Sequence, residues 1–308
     1  MLTREFGKPK LEPGSGVKPQ ASWRDYYALT KPGVVQLLVF TAVVGMLLAS
    51  PGMVPWDALI FGSLGIALAA ASGATVNHVL DQRIDAQMSR TRERPLPSGR
   101  VNDRDAMAFA LGLGVLGIGV LALAVNPLTA LLTFASLIGY AVIYTVYLKR
   151  ATPQNIVIGG AAGAAPPVLG WTAVQNEVSW FAVILFLIIF TWTPPHFWAL
   201  AVSRKADYEK AGIPMLPVTH GITTTKNFII AYTVLLCLIS VSPSFFGYTG
   251  LLYFLGASTL GAGFLFYAID LRCSDDDSKG MRTFAYSISY LVALFSFLLA
   301  DHYVALIF

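Results

Sequence analysis

Charge is what this chain has least of. Asp, Glu, Lys and Arg together make up 12% of its 308 residues, against 56% hydrophobic. A soluble domain of that length carries roughly twice that charged share to solvate its surface. The composition therefore excludes an ordinary water-soluble globule. Cysteine is almost missing as well: only Cys237 and Cys273 occur. One falls inside an apolar run and the other in a polar connection, so neither a disulfide framework nor a cysteine-bound metal is expected. No cleavable signal is expected either, because about thirty polar residues precede the first apolar run.

Long apolar runs are abundant. Stretches of about 18 or more residues recur along the chain, as in an integral membrane protein. They predict an all-α membrane bundle of nine transmembrane helices near 33–50, 58–80, 105–125, 128–147, 153–174, 179–201, 226–246, 250–270 and 284–306. Residues 1–21 are polar and rich in Gly, Pro and Lys, which predicts a flexible tail ahead of a single membrane domain at 22–308. The stretch SWRDYYALTKP at 22–32 mixes aromatics with charge just before the first run, as an interfacial anchor would. Small residues cluster in GLGVLGIGV at 112–120 and GGAAGAAPP at 159–167, where close helix packing in lipid needs them.

Positive charge is confined to one side. With nine spans, all 21 Lys and Arg fall before the first span or in the connections after the second, fourth, sixth and eighth. The opposite side carries only Asp57, Glu177 and Asp301. The positive-inside rule then places the N-terminus and the long loops in the cytoplasm and the C-terminus outside. The net charge of +4 is mostly topology and gives no reason to expect nucleic-acid binding.

Three constellations point to chemistry. In NHVLDQRIDAQMSRTRERPLPSGR at 77–100, Asn77, Asp81 and Asp85 recur every fourth residue, so a helix would place them on one face along roughly 12 Å. Such oxygens suit Mg²⁺, which takes few protein ligands and shares the rest with water and phosphate. Arg90, Arg92 and Arg94 follow at once; guanidinium groups there clamp phosphate or carboxylate, or contact anionic lipid. In TWTPPHFWAL at 191–200, Pro194 and Pro195 would free the carbonyls of Phe190 and Thr191 beside His196, a candidate haem ligand or proton carrier. In YTVYLKRATPQN at 144–155, Tyr144, Tyr147, Lys149 and Arg150 close the fourth span, as an aromatic belt with positive-inside charge would.

The repeat Asn77-x-x-x-Asp81-x-x-x-Asp85 on the second span resembles the first aspartate-rich motif of the UbiA superfamily of intramembrane prenyltransferases. DYYALTKPGVV, RTRERPLPSGRV, KRATPQNIVIGGAAGAAPPVLGW, PPHFWALAV and ADYEKAGIPMLPV are similar, in order, to signature stretches of the branch of that family that farnesylates haem. The resemblance implies helices around a central cavity open to lipid, in a bacterial inner membrane, with polar loops capping the cytoplasmic side. It implies transfer of farnesyl from farnesyl diphosphate to a vinyl group of haem B. Asn77, Asp81 and Asp85 would hold Mg²⁺ and diphosphate. Arg90, Arg92 and Arg94 occupy the basic loop that grips phosphate or haem propionates. Tyr144 and Lys149, with Arg150 beside them, sit where the superfamily places a tyrosine and a phosphate-binding lysine. Haem A synthase and terminal-oxidase assembly proteins are the partners such a product implies.

Two departures stand out. The loop after the sixth span, where relatives carry a second acidic motif, offers only Asp207 and Glu209 among Arg204, Lys205 and Lys210, so basic residues there would take over part of substrate binding. Gly33 stands where the family usually has arginine. Two other readings stay open at this level: transfer to a quinone or chlorophyll precursor, and a non-catalytic haem carrier or transporter, in which broken helices also occur. His78 has no assigned role.

Overall fold

The computed structural model describes residues 21–89 and 91–307, and these are helices joined by short connections. They are α1 Trp23–Leu29, α2 Pro32–Leu48, α3 Ala58–Asp85, α4 Asp103–Ala124, α5 Pro127–Leu148 and α6 Asn155–Gln175. After these come α7 Trp180–Ser203, α8 Lys205–Lys210, α9 Leu216–Thr219, α10 Ile222–Phe245, α11 Leu251–Cys273 and α12 Lys279–Ile307. Among the described residues eight helices are long and apolar enough to cross a membrane. A ninth span results if α1 and α2, bent by 54° at Thr30–Lys31, are taken together. The expected all-α membrane architecture is present.

Local sequence explains the helix starts. Asn102 and Asn126 cap α4 and α5 by accepting from the backbone N–H of Asp105 and Thr129, both at 2.8 Å, and Ser179 does the same for α7 from Ala182 at 3.2 Å. Pro32 and Pro127 occupy first turns, where a missing N–H costs nothing. Several helices run further than hydropathy predicts, α3 and α12 by five residues each. Helix α3 extends from the expected 80 to Asp85, where Gln82 and Asp85 bond the following loop, and α12 begins at Lys279 instead of 284, where Gly280 packs on Ala199 of α7 and Lys279 pairs with Asp270 of α11.

Successive spans pack side by side from α2 to α7 and on through α10, α11 and α12, and α12 returns to α2, closing a ring. Leu185, Ile188, Leu236, Phe264, Tyr290 and Leu294 form the largest buried apolar cluster, between α7, α10, α11 and α12. Large apolar side chains such as Leu111, Val115 and Leu123 of α4 stay exposed on the outside, as a lipid-facing surface requires. Backbones touch where glycine permits: a Cβ on Gly45 of α2 would collide with the Pro167 carbonyl of α6, and one on Gly170 with that of Ala42.

The double proline does not break its helix. Helix α7 is continuous through Pro194 and Pro195. The segment is clamped laterally: Trp192 Nε1 donates to the Ser287 carbonyl at 2.8 Å, and His196 Nδ1 lies 2.6 Å from Ser287 Oγ on α12.

Candidate active site

The extension of α3 past residue 80 sets the site. It carries Asn77, Asp81 and Asp85 on helical backbone, 4%, 4% and 5% exposed, and each meets a cation from a different element. Lys149 Nζ, one residue beyond α5, lies 2.5 Å from Asp81 Oδ2. Arg94 Nη1, from the loop after α3, lies 2.7 Å from Asp85 Oδ2. Lys31 Nζ, from the α1–α2 corner, donates to Asn77 Oδ1 at 2.5 Å. Asn77 Nδ2 then donates to Asp81 Oδ2 at 2.8 Å, joining the stripe into one network. Burying two carboxylates is tolerable only with such partners, since an uncompensated charge there costs several kcal/mol.

Each cation is delivered by local structure. The second half of α5, Gly139–Leu148, is wound as a π-helix, a form that concentrates at functional positions. Its wider winding lets Thr145 Oγ1 donate to the carbonyl five residues back, Tyr140, at 2.8 Å and accept from Asn77 Nδ2 at 3.3 Å. Lys149 is thereby pinned opposite Asp81, and Asn155 Nδ2 holds its carbonyl at 3.2 Å. The basic loop is folded back by buried Leu96 and Val101, which pack with Leu29 of α1 and Ala106 of α4. Thr91 Oγ1 donates to the Asp85 carbonyl at 2.8 Å and Gln82 Nε2 to that of Leu96 at 3.2 Å, which aims Arg94 inward. Arg100 bridges loop and corner, donating to Asp25 Oδ1 of α1 and to the Glu93 carbonyl, both at 2.8 Å. Ser22 and then Arg100 hold the Asp25 carboxyl down to about 2, from an ordinary 3.8.

The remaining candidates are spread more widely. Tyr144 stacks on Tyr140 with ring centroids 5.6 Å apart. It lines a cavity of about 360 Å³ between α5 and α6, together with Leu148, Gly159, Ala162 and Phe186. Gly159 is required there, because any Cβ would enter the Tyr144 ring. Asp207 on α8 accepts from Ser89 Oγ at 3.2 Å, which docks the two loops against each other, while Arg204 is exposed, Lys205 is half-buried and neither has an ion-pair partner among the described residues. Arg92 is exposed and, among the described residues, pairs with Glu93 at 3.4 Å. His196 is sandwiched between Trp192 and Phe284, at 4.2 and 4.4 Å, and makes no contact with the acid stripe. Arg90 and the side chain of Arg150 lie outside the described residues. His78 is buried with neither ring nitrogen partnered.

Sequence reasoning missed Lys31 and Thr145. Lys31 reads as one more positive-inside charge; its signal would have been the Lys-Pro corner beside an aromatic segment. Among the described residues no three His, Cys, Asp or Glu side chains form a ready metal cage. Two carboxylates and an amide oxygen on one stripe nevertheless fit Mg²⁺, which keeps water or phosphate oxygens for its other positions. One end of the membrane bundle thus gathers two buried carboxylates, two lysines and an arginine, a donor set able to hold both a divalent cation and an anionic group.

Comparison with known proteins specifies the class. Residues 38–298 match the UbiA prenyltransferase family. The chain is 59% identical to the protohaem IX farnesyltransferase of Thioalkalivibrio sulfidiphilus over 283 residues, covering 92% of this chain and 94% of that one. Among solved structures it is similar to digeranylgeranylglyceryl phosphate synthase, with a TM-score of 0.76 at 18% identity over 91% of this chain and 98% of that one. It is similar also to a UbiA homologue from Archaeoglobus fulgidus bound to DMAPP and Mg²⁺, with a TM-score of 0.62 at 17% identity over 89% and 99%. The chain belongs to the UbiA prenyltransferase family, grouping with its protohaem IX farnesyltransferases.

Proposed function

We propose that this protein transfers the farnesyl group of farnesyl diphosphate to a vinyl group of haem B, producing haem O and inorganic diphosphate. The observation that carries this reading is the buried stripe Asn77–Asp81–Asp85 meeting Lys31, Lys149 and Arg94 in a chain 59% identical to a protohaem IX farnesyltransferase. The positive charge on the loops supports a cytoplasmic position for this end of the bundle in a bacterial inner membrane.

The chemistry asked of the site is ionisation. The allylic C–O bond breaks, the electron pair leaves with diphosphate, and C1 of the farnesyl group becomes electrophilic. Bound through Asn77, Asp81 and Asp85, Mg²⁺ would neutralise charge on the departing diphosphate. Lys149, Arg94 and Lys31 already stand at that stripe and supply fixed positive charge where negative charge develops. One such preorganised group contributes about 3 kcal/mol, or roughly 10²-fold in rate. The face of Tyr144 offers electron density to the allylic cation, and the apolar walls beside it keep bulk water away. The haem vinyl then forms the C–C bond to C1. Water adds to the resulting cation beside the porphyrin, releasing one proton and leaving the hydroxyethylfarnesyl chain. Arg92, Arg204 and Lys205, exposed or half-buried at the loop surface, suit haem propionates. His196, with Nε2 unpartnered among the described residues, is available to the porphyrin iron or to the quenching water. Delivery of the product to haem A synthase or to terminal-oxidase assembly proteins belongs to the same reading.

The test is direct. Membranes containing the protein, given haem B, farnesyl diphosphate and Mg²⁺, should yield haem O by mass. Unchanged haem together with prenylation of a hydroxybenzoate- or homogentisate-type acceptor would reassign the substrate.

A further inference from the structure

Each oxygen ligand of the acid stripe is held by its own cation: Asn77 by Lys31, Asp81 by Lys149 and Asp85 by Arg94. Two of these cations neutralise the two carboxylates, which leaves Lys31 as a surplus charge of about +1 at a half-buried site. Lys31 is also strained. It holds φ 51° and ψ 62°, one of two non-glycine residues with positive φ among the described residues. That left-handed backbone costs a lysine roughly 1–2 kcal/mol and persists where surrounding structure imposes it. The constraint is visible: Pro32 follows, Leu29 is fully buried against Leu96 and Val101, and Arg100 ties α1 to the loop through Asp25. The strained corner is the feature that brings Lys31 Nζ to Asn77.

We propose that Lys31, Lys149 and Arg94 form a counter-ion latch that makes metal binding and diphosphate binding mutually dependent, with Lys31 as its positioning residue. This inference rests on the reading of the site as a metal–diphosphate site. A divalent metal alone must compete with Lys31 for the one oxygen of Asn77 and with Lys149 and Arg94 for an oxygen each of Asp81 and Asp85, and would raise the local charge from about +1 to about +3. A diphosphate ester alone, carrying about three negative charges, would face both carboxylates and leave a surplus of about −2. Entering together, at about −1, the pair matches the site. The cations swing from the acid stripe to phosphate oxygens as the stripe turns to the metal. Each ligand then strengthens the other by the same factor, as linkage demands.

The test uses the full-length protein in lipid nanodiscs, Mn²⁺ as the metal read by electron paramagnetic resonance, and farnesyl S-thiolodiphosphate as an unreactive diphosphate. Wild type should bind Mn²⁺ at least about tenfold more tightly with the analogue than without it. Lys31→Met should bind Mn²⁺ alone about tenfold more tightly than wild type while losing affinity for the analogue. A merely structural lysine would not move metal affinity upward. Since Asn77 is uncharged, Lys31→Met strands no charge; if it fails to fold, Lys149→Met gives the same comparison at Asp81. Equal Mn²⁺ affinity with and without analogue in wild type, or unchanged metal-alone affinity in the variant, overturns the latch. Haem O formation by the same preparation is scored separately: its presence alongside either result sinks the latch and leaves the transferase reading standing.

Discussion

Asp81→Asn separates chemistry from folding at the centre of the site. The carboxylate is 4% exposed, lies 2.5 Å from Lys149 Nζ and accepts from Asn77 Nδ2 at 2.8 Å. Asparagine keeps the shape and one acceptor but removes the charge. Lys149 then loses its counter-ion. A fully buried orphan would cost about 3–5 kcal/mol, and Lys149, whose side chain is 14% exposed, should fall at the lower end. The catalytic loss is of a different kind. Removing one preorganised group that stabilises leaving-group charge costs about 2.7–4 kcal/mol, or 10²–10³-fold. Haem O formation per folded molecule, measured by mass after size-exclusion purification in detergent, should therefore fall at least about 100-fold. The thermal midpoint should fall too, yet the protein should still elute as folded. Activity within about tenfold of wild type per folded molecule would refute the placement of the site.

Other predictions address the frame around it. Gly170→Val should force α6 away from the Ala42 carbonyl of α2 and destabilise the bundle by about 1–3 kcal/mol, seen as a lower detergent-extracted melting point. Asp301→Ala should remove acceptors for Gly250 N–H at 2.6 Å and Tyr253 N–H at 3.0 Å at the start of α11, costing about 1–2 kcal/mol in thermal stability. Its activity per folded molecule should be unchanged, because Asp301 shares no contact with the acid stripe. For Asp25, whose carboxyl is lowered to about 2, the stabilisation is complete above its ordinary 3.8 and is lost only as pH falls towards 2. Hydrogen-exchange protection of residues 94–101 should therefore match at pH 7 and pH 5 once intrinsic rates are corrected, whereas Asp25→Ala should lower it at both.

What could be read from the sequence is what is local. The spacing of Asn77, Asp81 and Asp85 needs only the helical period to share a face, and the apolar runs need only their length to be spans. Lys149 was reachable through family resemblance, since its partner lies 68 residues away. Lys31 was not legible: its reach to Asn77, 46 residues away, depends on one left-handed backbone angle that no pattern announces. The π-winding of Gly139–Leu148 was equally hidden, because its apolar sequence suits an α-helix as well. The course of the chain at Pro194 and Pro195 is likewise set by packing. Prolines suggest a broken helix, but packing on α12 through Trp192 and His196 holds α7 continuous. That same packing sets His196 apart from the acid stripe.

The central claim is that the acid stripe and its three cations drive farnesyl transfer to haem. The most direct measurement is the mass of haem recovered from purified protein after incubation with haem B and farnesyl diphosphate, with Mg²⁺ and with excess EDTA. Haem B heavier by one farnesyl group and one hydroxyl group is expected when Mg²⁺ is present, and unaltered haem B under EDTA. Unaltered haem in both samples, or the same product in both, would contradict it.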